Sequence, residues 1–214
     1  MRMTVFGAAG QVGRRTVSEA LSRGHDVTAV VRDPARYAAA LPPGARRRSG
    51  DASDPAAVAR LARGQDVVIS ATRPGAGREQ ELVATAEALL DGTARSGVRL
   101  LLVGGAGTLT VPGPGGGTVA DAPDFPDDWK AVAAACAAQL DACRAAPPAA
   151  DWTYLSPPAL LEPGKRTGVY RRGADTLLTD PDGRSVISLE DFAVALIDEA
   201  EHPRHRRGRF TVAY

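Results

Sequence analysis

Apolar positions along this chain fall into two rhythms. The first is a series of short, nearly continuous apolar runs: MTVF (3–6), DVTAVV (26–31), DVVISA (66–71), VRLLLVGG (98–105) and WTYLSPP (152–158). Runs without polar alternation mark strands covered on both faces. The second rhythm is helical. A helix near 11–23 turns Val12, Val17, Ala20 and Leu21 inward, and one over 55–64 ends on Gly64, a residue type favoured just past a helix C-terminus. A helix near 78–95 carries Leu82, Val83, Ala86, Leu89 and Leu90, and another over 127–146 aligns Trp129, Val132, Ala133, Cys136, Leu140 and Cys143. The tail reads as a strand and helix in SVISLEDFAVALIDEAEHP, then a final strand, RFTVAY. Strand, helix, strand in this order predicts an α/β fold: one doubly wound parallel sheet with right-handed crossovers and helices on both faces.

The regularity breaks at 106–127, a Gly/Pro-rich stretch that follows the carboxyl end of a strand. A loop of that length beside the expected ligand crevice is either a lid or a surface insertion. No internal repeat or linker divides the chain, and 214 residues suit one domain with a substantial core.

Composition narrows the class. With 44% hydrophobic and 24% charged residues and a formal net charge of +1, the chain reads as a soluble globular protein rather than a polyanion binder, so no nucleic-acid partner is expected. All but two of the 26 basic residues, Lys130 and Lys165, are arginine, which genome composition explains. The chain enters a strand at once with MRMTVF, and no apolar run approaches membrane-spanning length. A cytoplasmic protein without a membrane partner is the expectation. Cys136 and Cys143 lie seven residues apart, about 10 Å along a helix, too far for a disulfide and suited to a core face.

Chemistry first appears in GAAGQVG (7–13), where Gly7, Ala8, Gly10, Gln11, Val12 and Gly13 join a strand to a helix. Gly7 permits the tight turn, Gly10 lets backbone approach a pyrophosphate, and Gly13 lets helix and strand pack closely. Exposed amides and the dipole at the helix start favour phosphate charge. The second strand ends in AVVRDP, with Arg32 at its tip and Asp33 next. An arginine there meets a 2′-phosphate, whereas an acid bonds a ribose 2′-hydroxyl, so NADP(H) is favoured over NAD(H). In the plainer reading Arg32 is solvated and Asp33 caps a short helix after Pro34. Arg14 and Arg15 either assist or are surface charges.

Taken in order, TVFGAAGQVG, GHDVTAVVRDP, GDASD, DVVISA, LLVGG, WTYLSPP, SVISLEDFAVALIDE and RFTVAY span nearly the whole chain. In this series the protein resembles an atypical short-chain dehydrogenase/reductase of the NAD(P)H-binding, NmrA-like group, which includes biliverdin-IXβ and flavin reductases. The resemblance implies a single Rossmann-type domain over 1–214, with substrate-side elements in 106–127 and 157–188. It implies that Asp51 and Ala52 lie beside the adenine, that Ala71, Thr72 and Arg73 pass the adenosine and ribose, that Gly104 and Gly105 approach the nicotinamide ribose, and that Pro157 and Pro158 border the nicotinamide.

The departure from that pattern concerns catalysis. The superfamily's Tyr-x-x-x-Lys pair is missing: four residues before Lys130 stands Pro126, and neither Tyr154 nor Tyr170 is followed by lysine at that spacing. The usual serine position falls within GGAG. Two readings remain. In one, the protein reduces a small planar acceptor such as a flavin, quinone, tetrapyrrole or pathway intermediate, orienting it against the cofactor. Residues 106–127 and PGKRTGVYRRG (163–173) then wall the substrate, with Arg166, Arg171 and Arg172 either meeting an anionic group or lying in a solvated loop. Lys130 and Tyr170 are the nominated general acids. In the other, the protein binds NADP(H) and reports its redox state without turnover. His25, His202 and His205 make no metal set, and Ser188 and Asp191 suit a helix start. Substrate identity and oligomeric state stay open.

Overall fold

The computed structural model describes residues 1–113 and 115–214. In chain order the elements are β1 (Arg2–Phe6), α1 (Gln11–Ser22), β2 (Asp26–Val31), β3 (Arg46–Ser49), α2 (Pro55–Ala62), β4 (Val67–Ser70), α3 (Glu81–Ser96) and β5 (Arg99–Val103). There follow α4 (Asp127–Ala145), β6 (Trp152–Ser156), β7 (Leu160–Glu162), β8 (Arg171–Gly173), β9 (Val186–Ser188), α5 (Leu189–Glu201) and β10 (Gly208–Ala213). The main sheet runs β3-β2-β1-β4-β5-β6-β10-β8. All its pairings are parallel except the last, where β8 lies antiparallel on β10. This is the doubly wound α/β architecture that the apolar rhythm predicts.

Within each apolar run, alternate residues serve opposite layers. Met3, Val5, Ile69, Leu101 and Leu155 pack toward α1 and α5. Phe6, Val68, Leu100, Leu102 and Tyr154 pack toward the layer of α2, α3 and α4. Each buried aliphatic side chain of this kind contributes about 1.5–3 kcal/mol relative to exposure. Sheet burial on both sides explains why periodicity alone could not assign the faces.

Several boundaries differ from the sequence expectation. Helix α2 stops at Ala62, and Gly64, with φ +72°, turns the chain two residues later. Helix α3 begins only at Glu81. Trp129, expected on the buried stripe of α4, is 52% exposed, because it sits in the helix's first turn; the buried α4 residues are Ala135, Gln139, Leu140 and Cys143. The short strands β7 and β8 were not foreseen. β7 pairs with β9 in a separate two-stranded sheet.

The 106–127 stretch is anchored at its feet. Leu109 is fully buried, Arg209 donates to the Thr108 hydroxyl at 2.7 Å, and Thr110 pairs with both Thr118 and Thr176. Thr118 and Asp121 close a reciprocal cap over a 3-10 turn, Val119–Asp121. Its exposed residues are Thr110, 111–113, 115–117, Asp121, Pro123, Asp124, Pro126 and Asp127. Residues 163–173 form a strap across α1 and α5. Arg166 grips Glu19 of α1 at 2.7 and 2.8 Å, the Thr167 and Gly168 amides donate to Asp191, and the Tyr170 hydroxyl bonds Asp198.

Candidate cofactor site

The polypeptide makes its sharpest turn between β1 and α1. Gly7 has φ +71°, and a Cβ there would stand 2.5 Å from the Ala71 carbonyl oxygen beyond β4. A Cβ on Gly13 would lie 2.1 Å from the Gly7 carbonyl oxygen. Both contacts are with backbone, which cannot yield, so glycine is required at each position. The turn closes through Gly10 N–H donating to Gly7 O and Arg14 N–H to Gly10 O, each at 3.0 Å.

Helix α1 opens without a side-chain cap and with no acid in its first turn. Among the described residues, the amides of Gln11, Val12 and Gly13 find no protein acceptor. Unpaired amides at a helix start form an anion site, and the residues here fit a pyrophosphate. The cradle faces the carboxyl ends of β1 and β4, the point where the strand order reverses direction and ligands of this architecture enter.

Flanking side chains frame the cradle. Ala8 is fully buried and Val12 half-buried, while the Gln11 carboxamide oxygen accepts from Arg14 at 2.7 Å and Arg15 at 2.8 Å. Arg15 also pairs with Glu190 at 2.6 Å, joining α1 to α5, so it is a structural tie. At the tip of β2 the two neighbouring charges have different fates. The Asp33 carboxylate accepts the amides of Ala35 and Arg36 at 3.0 Å, so it serves its own turn. The exposed Arg32 guanidinium has no hydrogen-bond partner among the described residues. Next to it, Asp51 accepts the Ser53 amide and hydroxyl, which with the Arg32 charge hold its carboxyl below the usual range. Ala52 beside it is buried.

On the other side of the crevice, Ala71 N–H donates to Phe6 O at 3.0 Å and the Thr72 hydroxyl bonds Ser70 at 2.9 Å, leaving Arg73 exposed. Gly104 and Gly105 end β5 directly over Tyr154. A Cβ on Gly104 would fall 1.9 Å from that ring, and the Gly105 amide donates to the Tyr154 hydroxyl at 3.2 Å. That hydroxyl faces Cys136 O at 3.0 Å and Gln139 Oε1 at 3.1 Å as acceptors. Burial pushes the phenol far up, so Tyr154 shapes the β5 turn and offers no proton. Burial likewise raises the Cys136 thiol to about 11, against the opposing charge of Arg73. Pro157 and Pro158 follow β6, half-buried and buried respectively.

The nominated acids are not brought to this crevice together. Lys130 lies exposed in the first turn of α4, paired with Asp127 at 2.6 Å. Tyr170 bonds Asp198, which also holds Arg23, the residue closing α1. Asp198 lies in the last turn of α5 and Arg23 follows α1, so the phenol sits toward the end of both helices opposite their first turns. Burial, then the hydrogen bond to Asp198, raises Tyr170 to about 12. In this structure Tyr170 fastens the strap to α5. The guanidiniums of Arg166 and Arg171 are likewise engaged, by Glu19 and by the Thr179 and Tyr214 carbonyls.

Comparison with known proteins decides the family. The model of a family described as NAD(P)H-binding matches residues 7–203. The chain belongs to the NAD(P)H-binding family. The match agrees with the NmrA-like short-chain dehydrogenase/reductase resemblance carried by the motifs and supports binding of a nicotinamide cofactor. YwnB of Bacillus subtilis strain 168, a protein uncharacterised in function, is 34% identical over 99% of this chain and 98% of its own. A Burkholderia pseudomallei structure, provisionally described as an exported protein, is 42% identical over the whole of both chains with a TM-score of 0.89. A Streptococcus pneumoniae structure, provisionally called an NADH-flavin reductase, is 31% identical over 100% of this chain and 99% of its own, also at a TM-score of 0.89. No described helix is long and apolar enough to cross a membrane.

Sequence reasoning missed the support beneath the family site. Gln139 and Tyr154 meet in the core, yet nothing local in either segment signals it. Asp191 was assigned to the helix dipole, but it is fully buried and accepts from Thr167, Gly168 and Tyr214. Its place three residues after the Ser188 cap was the readable clue. The strap it holds was not.

Proposed function

We propose that this protein is an NADPH-dependent reductase that delivers a hydride to a small planar acceptor, a flavin, quinone or tetrapyrrole, without a Tyr-x-x-x-Lys pair. The observation that carries the reading is the open start of α1, whose Gln11, Val12 and Gly13 amides are without protein acceptors at the crevice between β1 and β4. Bound reduced nicotinamide supplies the hydride. The chain's own residues bind and orient: the α1 amides take the pyrophosphate, and Arg32, with no partner among the described residues, takes a 2′-phosphate. Asp51 and Ala52 flank the adenine, Ala71 to Arg73 pass the ribose, and Gly104, Gly105, Pro157 and Pro158 edge the nicotinamide. Tyr154 keeps Gly104 and Gly105 in place, so the floor under the reacting ring is rigid. No protein acid is assigned, and water protonates the reduced acceptor. The resemblance to the Streptococcus pneumoniae structure supports the acceptor class, although its name gives NADH as the donor; Arg32 argues for NADPH here.

The test is NADPH consumption, followed at its absorbance band, with FMN, riboflavin, a benzoquinone and biliverdin offered separately. The proposal expects saturable turnover with at least one, and slower turnover with NADH. Tight cofactor binding with no turnover on any flat acceptor supports a redox sensor, a reading favoured by the locked Tyr154 phenol.

A further inference from the structure

At the end of the molecule remote from the cradle, the C-terminal half of α5 and the strands β8 and β10 enclose a cleft of about 220 Å³, lined by Arg172, Ala195, Asp198, Glu199, His202, Arg204 and Phe210. We propose that this cleft binds a phosphate group, free or on a small ester, as a second anion site separate from the cofactor crevice.

The argument rests on which groups are already engaged. Asp198 accepts from Arg23 at 2.8 Å and from the Tyr170 hydroxyl. Glu199 accepts from Arg99, from His205 Nδ1 at 2.7 Å, and from the Arg204 and His205 amides at 3.0 Å. Both carboxylates are therefore paired with cations outside the cleft: Asp198 with Arg23, which Glu19 and Glu201 share, and Glu199 with the buried Arg99. The groups that remain are donors. Arg172 rests against the Tyr170 ring, 5.4 Å from its centroid, and makes no ion pair among the described residues. Arg204 is held only through its backbone amide, and the His202 ring has no partner there. Two guanidiniums and an imidazole thus line the cleft with unfilled hydrogen-bonding capacity. They outweigh the partial negative charge, about half a unit, at the end of α5.

The floor is apolar. Phe210 is buried and carries the His205 ring stacked on it at 4.4 Å between centroids. Guanidinium forks above an apolar floor suit a tetrahedral oxyanion, which they can grip at two oxygens at once. The cleft volume exceeds that of one phosphate and leaves room for a short carbon skeleton.

The chain's three histidines supply the readout, because all lie at this end: His25 pairs with Glu201, His205 with Glu199, and His202 lines the cleft. Inorganic phosphate held by the cradle is therefore silent in their ring resonances. The experiment titrates the full chain with sodium phosphate at pH 7 and follows the histidine ring signals by NMR, with sodium chloride at matched ionic strength as control. The proposal expects a saturable shift of His202 with a midpoint on the order of 1 mM, and a midpoint about tenfold higher in Arg172→Gln/Arg204→Gln. If the double variant does not fold, Arg204→Gln alone gives the same reading, since that side chain is exposed. A second arm uses glycerol 3-phosphate: a tighter midpoint assigns an ester, an equal or weaker one assigns free phosphate. A His202 shift that fails to saturate, that chloride reproduces, or that survives loss of the arginines overturns the proposal.

Discussion

Helices α1 and α5 lie side by side on one face of the sheet, and both begin at its carboxyl edge, yet their first turns are built in opposite ways. At α5, Ser188 caps the Asp191 amide at 2.9 Å, and Glu190 and Asp191 place two carboxylates in the first turn. The buried Asp191 is saturated by Thr167, Gly168 and Tyr214. At α1 the cap is Gly10, no acid follows, and three amides stay without protein acceptors among the described residues. The same helix-end electrostatics are thus satisfied internally at α5 and left for a ligand's phosphates at α1. A helix start closed by its own carboxylate stabilises the fold; one kept open and glycine-lined stores binding capacity.

The comparison breaks most severely at Gly13→Ala. Its new Cβ would stand 2.1 Å from the Gly7 carbonyl oxygen, so the turn must open. The expected outcome is a stability loss of about 3 kcal/mol in chemical denaturation, with cofactor binding lost in calorimetry. The matching lesion at the closed end is Asp191→Asn, which should cost about 2 kcal/mol while leaving NADPH affinity within about twofold. The Asp191 carboxyl carries a pH signature as well. Burial alone would raise its pKa, but hydrogen bonds from Thr167, Gly168 and Tyr214 hold it below the ordinary value. Its stabilisation is therefore full above the unfolded carboxyl pKa of about 4 and is lost as pH falls through the lower folded value. Denaturation of wild type and variant across pH 2–7 should show the stability gap closing from about pH 4 downward.

Arg32→Ala sharpens the comparison at the ligand side. It should weaken NADPH about tenfold or more while NADH stays within about twofold, because one charged hydrogen-bonding partner of the 2′-phosphate is removed. The smallest effect belongs to Lys130→Ala. Its exposed pair with Asp127 predicts a change under about 0.5 kcal/mol in thermal unfolding and unaltered turnover.

What could be read from the sequence followed local rules. The cradle was legible because a glycine turn, an uncapped helix start and an arginine at the next strand's tip are all written within thirty-two residues. The central strands were legible as unbroken apolar runs, and Ser188 as a cap. What escaped was non-local. The strap over 163–173 reads as a loop because its hydrogen bonds reach Glu19, Asp191 and Asp198, residues distant in sequence. The same holds for the buried Arg99–Glu199 pair and for Tyr154 beneath Gly104. Trp129 was misplaced because helical periodicity says which face a residue shares, not whether the neighbouring layer extends over the first turn. Tyr170 looked available as an acid only because Asp198 lies twenty-eight residues away.

The central claim is that the open start of α1, together with Arg32, is a site for a phosphorylated nicotinamide cofactor. Calorimetric titration of the purified protein with NADPH, NADP⁺, NADH and NAD⁺ in one buffer tests it most directly. The account predicts saturable binding of NADPH and NADP⁺, each at least about tenfold tighter than its unphosphorylated counterpart. Equal affinity for all four would remove Arg32 from the site, and binding of none would contradict the claim that the α1 amides are kept for a cofactor.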